Sequence, residues 1–541
     1  ACTKKLDDGL VNPNSPDPSV ASADLYLTEM QLRFADFYNA ASNFGGQVSR
    51  MYQMGATTYR NAFSPESFNG IWTSAYTGVF KQANVLLPIA EQQKKYVNVG
   101  MAQVLKAYTM MTLVDIFGDI PFTDANLGAD NTNPASEKGS DVYTKAIALL
   151  DSAIVNFNRT PGSYPGIQDL FYGTTGTAGA ARWRTTAKLL KLRALNTTRL
   201  VNSSAATQIN ALLADSDVSG SISSSANDFE FKFSTRQTNP NSRHPRYNAN
   251  YTANGLAGDY MNNYYMWCLA VEKGTGANSD PRLRYYFYRQ RINYADLTAD
   301  NLGCLYSNAA PPAHFPAGMP FCAIPGGYWG RDHGDGSGIP PDGNLRATVG
   351  IYPAGGEFDA NQNTSVSLNR GGQGAGIHPI WQSAFTEFLK AECALKLGTT
   401  GNARALLQSA VEKSLAKVIG FPATINVVPT ASFVPDATRQ TAYVNKVLAL
   451  YDAAPTTDAK LDVIIKEWYI AAWGNGMEVF NAYRRTGFPK NIQFTLSASP
   501  GDFTRSMLYP AVFVNLNNTA QQKPSPAVQV FWDNNPPGFI K

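Results

Sequence analysis

Apolar residues recur at intervals of three and four along both halves of this 541-residue chain. In the first half, such stripes cover 72–90 and 101–117, where Gly118 offers a C-terminal cap, and then 143–157 and 184–200. A period near 3.6 places these positions on one face of a helix. Each neighbouring pair of stripes therefore predicts a helical hairpin.

The second half repeats the pattern. Stripes at 381–393 and 403–411 are separated by a short loop, and another pair covers 442–451 and 461–473. Four hairpins that bury their apolar stripes on one another are typical of tetratricopeptide-like units, although the exact consensus is absent. The predicted fold is mainly α, with four tetratricopeptide-like helical hairpins and a large, irregular, loop-rich insertion.

The insertion lies between the two halves, where the helical period disappears and Asn, Gly, Tyr and Pro dominate. Long segments of this kind inside a compact protein are usually functional. We therefore expect an N-terminal tether over 1–20, a first helical half over 21–200, an irregular ligand-binding region over 201–380 and a second helical half with a C-terminal loop segment over 381–541.

Composition narrows the function classes. Charged residues make up only 16% of the chain, which is too few for most of it to be disordered. The net charge is only +4, so nothing indicates nucleic-acid binding. The four His residues are scattered in loops, and no HExxH, GxSxG, CxxC or Walker A spacing occurs. We expect a protein that is not an enzyme. A glycan hydrolase on a helical scaffold stays open, because its paired carboxylates are assembled only in space.

The irregular region offers aromatic rings between amide and hydroxyl groups, at 246–255, 259–267 and 326–336. Aromatic faces stack on sugar rings, while Asn, Asp and Arg bind hydroxyl groups or peptide backbones. The glycines around 328–329 are expected to project both rings outward. Alternatively, the rings form the core of the region. The predicted ligand-binding residues are Tyr247, Tyr251, Tyr328, Trp329, Arg331, Asp332 and His333.

Two further groups have alternative interpretations. Asp332, Asp335 and Asp342 could bind Ca²⁺, although their spacing differs from an EF-hand and turn chemistry is the simpler account. Arg484 and Arg485 could bind a ligand carboxylate. Alternatively, they follow a helix and bind carbonyl groups or acidic side chains of the protein itself. No cofactor is expected apart from this possible structural Ca²⁺.

The cysteines indicate where in the cell the protein is located. Cys2 follows Ala1 and precedes a polar segment rich in Pro, Asn and Asp, as in a processed bacterial lipoprotein, although it could also be an ordinary free cysteine. Cys304 and Cys322 could form a disulfide in an oxidising compartment, and Cys393 is expected in a helix core.

Several segments resemble the SusD/RagB family of Bacteroidetes, most of all its SusD-like branch. They include AYTMMTLVDIFGDIPFTDA (107–125), EWYIAAWGNGMEVFNAYRRTGFP (467–489) and TRSMLYP (504–510). The resemblance implies a lipid on Cys2, a cell-surface position at the outer membrane and a SusC-like TonB-dependent barrel that this protein covers as a lid. It also implies capture of oligosaccharides, or alternatively oligopeptides, for that transporter. The matching motifs determine the fold, so they identify no binding residue.

Overall fold

The protein is mainly helical, as predicted. The computed structural model describes residues 22–159, 169–173, 176–221, 225–292, 311–321, 324–336 and 346–540. Its first half contains α1 (Ala23–Val48), α2 (Tyr59–Ala62), α3 (Asn69–Thr73), α4 (Lys81–Gln92), α5 (Tyr96–Phe117), α6 (Gly139–Asn158) and α7 (Gly176–Thr197). A π-helical stretch, Ser74–Phe80, joins α3 to α4 without a break.

Two predicted hairpins are confirmed in this half. The continuous helix over 69–92 packs against α5, and α6 packs against α7. The left-handed Gly118, with φ of 80°, ends α5 as expected. The preceding long helix, α1, was not among the predicted elements, although Leu27, Met30, Phe34 and Ala41 form a regular apolar stripe on it.

The region over 201–380 is irregular but contains short elements. These are α8 (Ala205–Leu213), α9 (Ser216–Ser221), β1 (Phe229–Lys232), α10 (Pro245–Asn250), α11 (Asn263–Ala270), α12 (Leu283–Tyr286), β2 (Phe287–Arg289), β3 (Ala347–Val349) and β4 (Ile377–Trp381). β1 pairs antiparallel with β4, placing Phe231 opposite His378. β2 pairs antiparallel with β3, placing Tyr288 opposite Thr348. These small sheets tie distant parts of the insertion together.

The second half contains α13 (Ser383–Leu397), α14 (Ala403–Thr424), α15 (Ala437–Ala453), α16 (Thr457–Ala471), α17 (Gly476–Thr486) and α18 (Ala511–Leu516). α13 pairs with α14 and α15 with α16, so the other two hairpins are confirmed. Cys393 is buried in α13, as expected. Cys2, Cys304 and Cys322 lie outside the described residues.

Helices α1 and α17 join the two halves at a very close crossing. A Cβ atom on Gly476 would lie 2.1 Å from the Ser42 carbonyl oxygen, and one on Gly45 would lie 2.6 Å from the Gly476 oxygen. The Ser42 hydroxyl accepts a hydrogen bond from the Gly476 amide at 3.0 Å. Only glycine allows backbones this close, and the crossing sets the C-terminal end of α1 beside the irregular region.

A buried carboxylate on α5 connects segments that lie far apart in the sequence. Asp115 accepts hydrogen bonds from Tyr143 at 2.5 Å, Trp532 at 3.0 Å, Asn481 at 2.8 Å and Arg193 at 3.2 Å. A buried charge is tolerated only when it is paired and hydrogen-bonded in this way. Asp115 therefore links α5, α6, α7, α17 and the C-terminal segment.

Arg484 and Arg485 lie in the last turn of α17, not after it, and both are buried. Arg484 donates to the Arg505 carbonyl oxygen and to Asn481 Oδ1, each at 2.6 Å. Arg485 binds the Glu392 carboxylate through two hydrogen bonds of 2.8 Å. Both arginines therefore pin groups of the protein itself, which was the second of the two interpretations.

Candidate functional site

Tyr247 and Tyr251, on α10, stack on each other instead of offering a surface. Their ring centroids are 4.4 Å apart and the ring planes differ by 5°. The Tyr247 hydroxyl donates to the Leu368 carbonyl oxygen at 2.7 Å, and the Tyr251 hydroxyl donates to that of Val349 at 2.8 Å. Both residues are buried and anchor the loops after β3, so neither ring has a face free for a ligand.

Tyr328 and Trp329 also point inward, contrary to the expectation that glycines would project them outward. The turn itself is as expected, since Gly326 and Gly327 have φ of 87° and 88°. Both rings are nevertheless buried, and the Arg289 guanidinium lies 4.8 Å from the Tyr328 ring centroid. A tight turn fixes the backbone but not the direction of its side chains, which here are buried, with Tyr328 packed in the hydrophobic core.

Arg331, Asp332 and His333 have three different environments. Arg331 donates to the Tyr260 hydroxyl at 2.7 Å, and its guanidinium carbon lies 3.6 Å from the centroid of that ring. Asp332 accepts from Asn263 at 2.9 Å and lies 3.0 Å from His314 Nε2. His333 is fully buried, and this burial, together with Arg50, keeps its pKa well below the ordinary value. His333 is therefore neutral at physiological pH.

The proposed Ca²⁺ ligands do not form a cluster in the part of the chain that is described. Within it, no three His, Cys, Asp or Glu side chains are close enough to hold a metal ion. Asp342, one of the three candidates, lies outside that part.

A cleft of about 410 Å³ brings two of the three aromatic-rich segments to the C-terminal end of α1. Its wall on α1 consists of amides, Asn39, Asn43 and Gln47, spaced four residues apart along one face. The polar cleft, as we call it, is further lined by Tyr52, Gln53, Arg246, Asp259 and Tyr260.

Arg246 is held rigidly in the polar cleft. Its guanidinium carbon lies 3.3 Å from the Tyr52 ring centroid, while its nitrogens contact Asn43 at 2.5 Å and Asp259 at 3.2 Å. Asp259 also accepts from Asn250 at 2.9 Å. Charge, amide and aromatic groups are thus fixed relative to one another before any ligand arrives.

Tyr260 is the half-buried aromatic ring of the polar cleft. Besides Arg331, the Arg346 guanidinium lies over it, at 4.1 Å from the centroid. Cationic groups over an aromatic face attract its quadrupole and hold the ring in place. None of the seven residues predicted from the sequence lines the cleft, but Arg331 contacts its residue Tyr260.

A second cavity of about 610 Å³, the apolar pocket, lies on the other side of 331–336. Exposed Phe494 and Leu496 contribute to it, together with Tyr59, Phe503, Pro500 and His314. Gln53 donates to the Asp335 carbonyl oxygen at 2.5 Å from the cleft side, and Leu496 donates to that of His333 at 2.8 Å from the pocket side. The segment predicted to bind ligand lines neither cavity, but it is hydrogen-bonded to one lining residue of each.

Two family profiles match the chain. One, described as "Starch-binding associating with outer membrane", matches residues 14–308, more than half of the chain. The other, described as "Susd and RagB outer membrane lipoprotein", matches residues 360–527. The chain belongs to the SusD/RagB family. These descriptions identify it as an outer-membrane lipoprotein of a family that binds nutrients at the cell surface.

Solved structures of SusD/RagB relatives have the same fold. A family protein from Bacteroides thetaiotaomicron is 19% identical, with a TM-score of 0.68 over 95% of this chain and 100% of that chain. A chitin-binding SusD homologue from Flavobacterium johnsoniae is 18% identical, with a TM-score of 0.61 over 94% and 99% of the two chains. No curated protein matches the chain. Among the residues described, no helix combines the length and apolar composition needed to cross a membrane.

Proposed function

We propose that this protein captures oligosaccharides in the polar cleft and delivers them to a SusC-like TonB-dependent transporter, which it covers as a lid. The observation that carries the proposal is the lining of the cleft. Amides and the Arg246 and Asp259 pair suit a ligand with many hydroxyl groups, and Tyr260 holds the Arg331 and Arg346 guanidinium groups in place beside them. The fold shared with a relative described as chitin-binding supports a carbohydrate ligand.

The rigidity of the cleft also supports binding. Arg246 is already oriented by Tyr52, Asn43 and Asp259, so a ligand would not have to immobilise that long side chain. Pre-organisation of this kind reduces the entropy lost on association.

Oligopeptides are the second candidate ligand, and one observation favours them. The apolar pocket presents exposed Phe494 and Leu496, which suit apolar peptide side chains better than sugar hydroxyl groups. Glycan-array screening beside a peptide-library pull-down distinguishes the two. We expect retention of glycans that Tyr260→Ala weakens; retention of peptides alone would replace the first candidate by the second.

We propose further that the ligand is bound without being converted. The HExxH, GxSxG, CxxC and Walker A spacings are missing from the sequence, and the family consists of binding proteins. Incubation of a bound glycan with the protein for one day, followed by mass spectrometry, should return the glycan intact. Cleavage products that depend on one particular carboxylate would instead favour the glycan hydrolase.

A further inference from the structure

A third cavity, of about 520 Å³, lies away from the polar cleft, where the ends of α7 and α17 meet α13, α16 and the C-terminal segment. Its size falls within the usual range for small-molecule sites. Four basic residues contribute to its lining, and we call it the basic pocket: Arg199, Lys396, Arg485 and Lys490. Leu461, Phe488, Ile492 and Phe539 supply apolar walls.

The floor of the basic pocket carries more positive than negative charge. Glu392 binds Arg485 through two contacts of 2.8 Å and Arg199 through one of 3.0 Å, and it accepts from Asn196 at 3.2 Å. One carboxylate thus faces two guanidinium groups. Arg199 Nη1 is buried and has no hydrogen-bond partner among the described residues.

The residues at the rim of the pocket do not neutralise this excess of positive charge. Lys396 pairs with Asp458 at 2.9 Å, but the Asp458 side chain is 69% exposed and its pairing is therefore weak. Lys490 is exposed at the rim. Asp462, which accepts from the Lys490 backbone amide at 3.1 Å, lines the neighbouring cavity on the far side. Four cations therefore share the pocket with the carboxylates of Glu392 and Asp458.

We propose that the basic pocket binds an oxyanion, a carboxylate or a sulfate ester, carried on a body the size of a sugar ring. Clefts lined by charge of one sign with apolar walls concentrate the electrostatic field on a ligand of opposite charge. The two lysines contact the oxyanion at the rim, the guanidinium groups of the floor attract it, and the apolar walls cover the ring. The site is separate from the polar cleft and does not depend on what the cleft binds.

Calorimetric titration at fixed ionic strength tests this with glucuronate, glucose 6-sulfate, glucose and inorganic sulfate as probes. We expect the two acidic sugars to bind and glucose not to bind. Lys490→Gln and Lys396→Gln should each weaken binding about three- to fivefold, as expected for partly exposed charge pairs. The matched control is Lys446→Gln, an exposed lysine on α15 outside the pocket, which should change nothing.

Several outcomes would overturn the proposal. If no acidic probe binds, or if both lysine variants bind like the wild type, the pocket is not an oxyanion site. Equal affinity for inorganic sulfate and glucose 6-sulfate would reject the sugar-sized body. Arg199→Gln should also weaken binding. If the Arg199→Gln protein does not fold, the two lysine variants alone test the oxyanion site. Neutral oligosaccharide binding, measured in the same variants, reports separately on the polar cleft.

Discussion

Trp329 and Tyr260 lie in neighbouring loops but differ in exposure, since Trp329 is buried and Tyr260 is half-buried. Trp329 is only 6% exposed, so Trp329→Ala should lower the free energy of unfolding by about 3 to 5 kcal/mol through the lost burial and the cavity left behind. Glycan affinity in the folded fraction should stay unchanged. Calorimetry of unfolding and of binding on the same sample checks both values. Lost affinity with an unchanged melting temperature would assign Trp329 to a ligand site.

At this scale the sequence showed which segments are rich in aromatic residues, but not which rings are exposed. Tyr247 and Tyr251 look like surface residues because their own segment is polar. Their hydroxyl partners, at Leu368 and Val349, are about 100 residues away in the sequence and cover them. The amides of the polar cleft had a detectable signal in the spacing of Asn39, Asn43 and Gln47, once α1 is recognised as a helix.

At the scale of elements, Glu392 holds α7, α13 and α17 together. Burial alone would raise its pKa, but Arg485 and Arg199 lower the pKa to about 2. The ordinary value is about 4.3, so this carboxylate contributes stability that is fully present above about pH 5 and is lost as pH falls toward 2. The contribution is about 3 kcal/mol, at 1.36 kcal/mol per pKa unit.

The Glu392→Gln variant should therefore be less stable than the wild type at pH 7, and the difference should shrink as the pH is lowered from 5 to 3. Urea unfolding at pH 3, 4, 5 and 7 measures it. Comparison of the two proteins cancels the titration of the other carboxylates. A difference that stays constant across this range would show that the carboxylate keeps its ordinary pKa.

The crossing of α1 and α17 gives a second prediction for elements. A Cβ atom at Gly476 would meet backbone atoms of α1 at 2.1 Å, so Gly476→Ala should force the helices apart and cost about 1 to 3 kcal/mol or more. Gly70→Ala is the matched control, because a Cβ atom there meets nothing within 4 Å and alanine favours the helix. Urea unfolding measures the free energy of unfolding of both variants. If the two values are equal, the close crossing is refuted.

The hairpins were predictable because apolar residues recur at intervals of three and four in each helix, even in α5, which is buried on nearly all sides. α1 has the same signal and could also have been predicted. α17 also has apolar residues at this spacing, Met477, Phe480 and Tyr483, but its other face is buried too and carries polar residues such as Asn481 and Arg484. Its packing depends on partners from α5, α13 and the C-terminal segment that no local pattern reveals.

At the scale of the whole molecule, we propose that a lipid on Cys2 attaches the protein to the outer membrane. Cys2→Ala should then release it into the soluble fraction, because the thiol that accepts the lipid is gone. Fractionation of cells that lack the transporter measures this without interference from the barrel. Retention of the variant in the outer membrane of such cells would show another means of attachment.

We also expect the partner to remain bound during gentle purification. Extraction of native membranes in mild detergent should co-elute a large β-barrel protein with this chain, as a transporter and its lid would. A monomer under every mild condition would count against the lid function while leaving ligand capture unaffected.

Calorimetric titration of Tyr260→Ala with an oligosaccharide selected on the array is the most direct test of glycan capture in the polar cleft. The Tyr260 ring fixes the Arg331 and Arg346 guanidinium groups beside the cleft, so its loss should release both side chains and weaken binding about tenfold. Tyr96→Ala is the matched control: Tyr96 is also half-buried beneath a guanidinium, that of Arg159 at 3.5 Å, but lies outside the cleft. We predict lost affinity for Tyr260→Ala alone, with both variants folded. Wild-type affinity in a folded Tyr260→Ala protein would contradict the account.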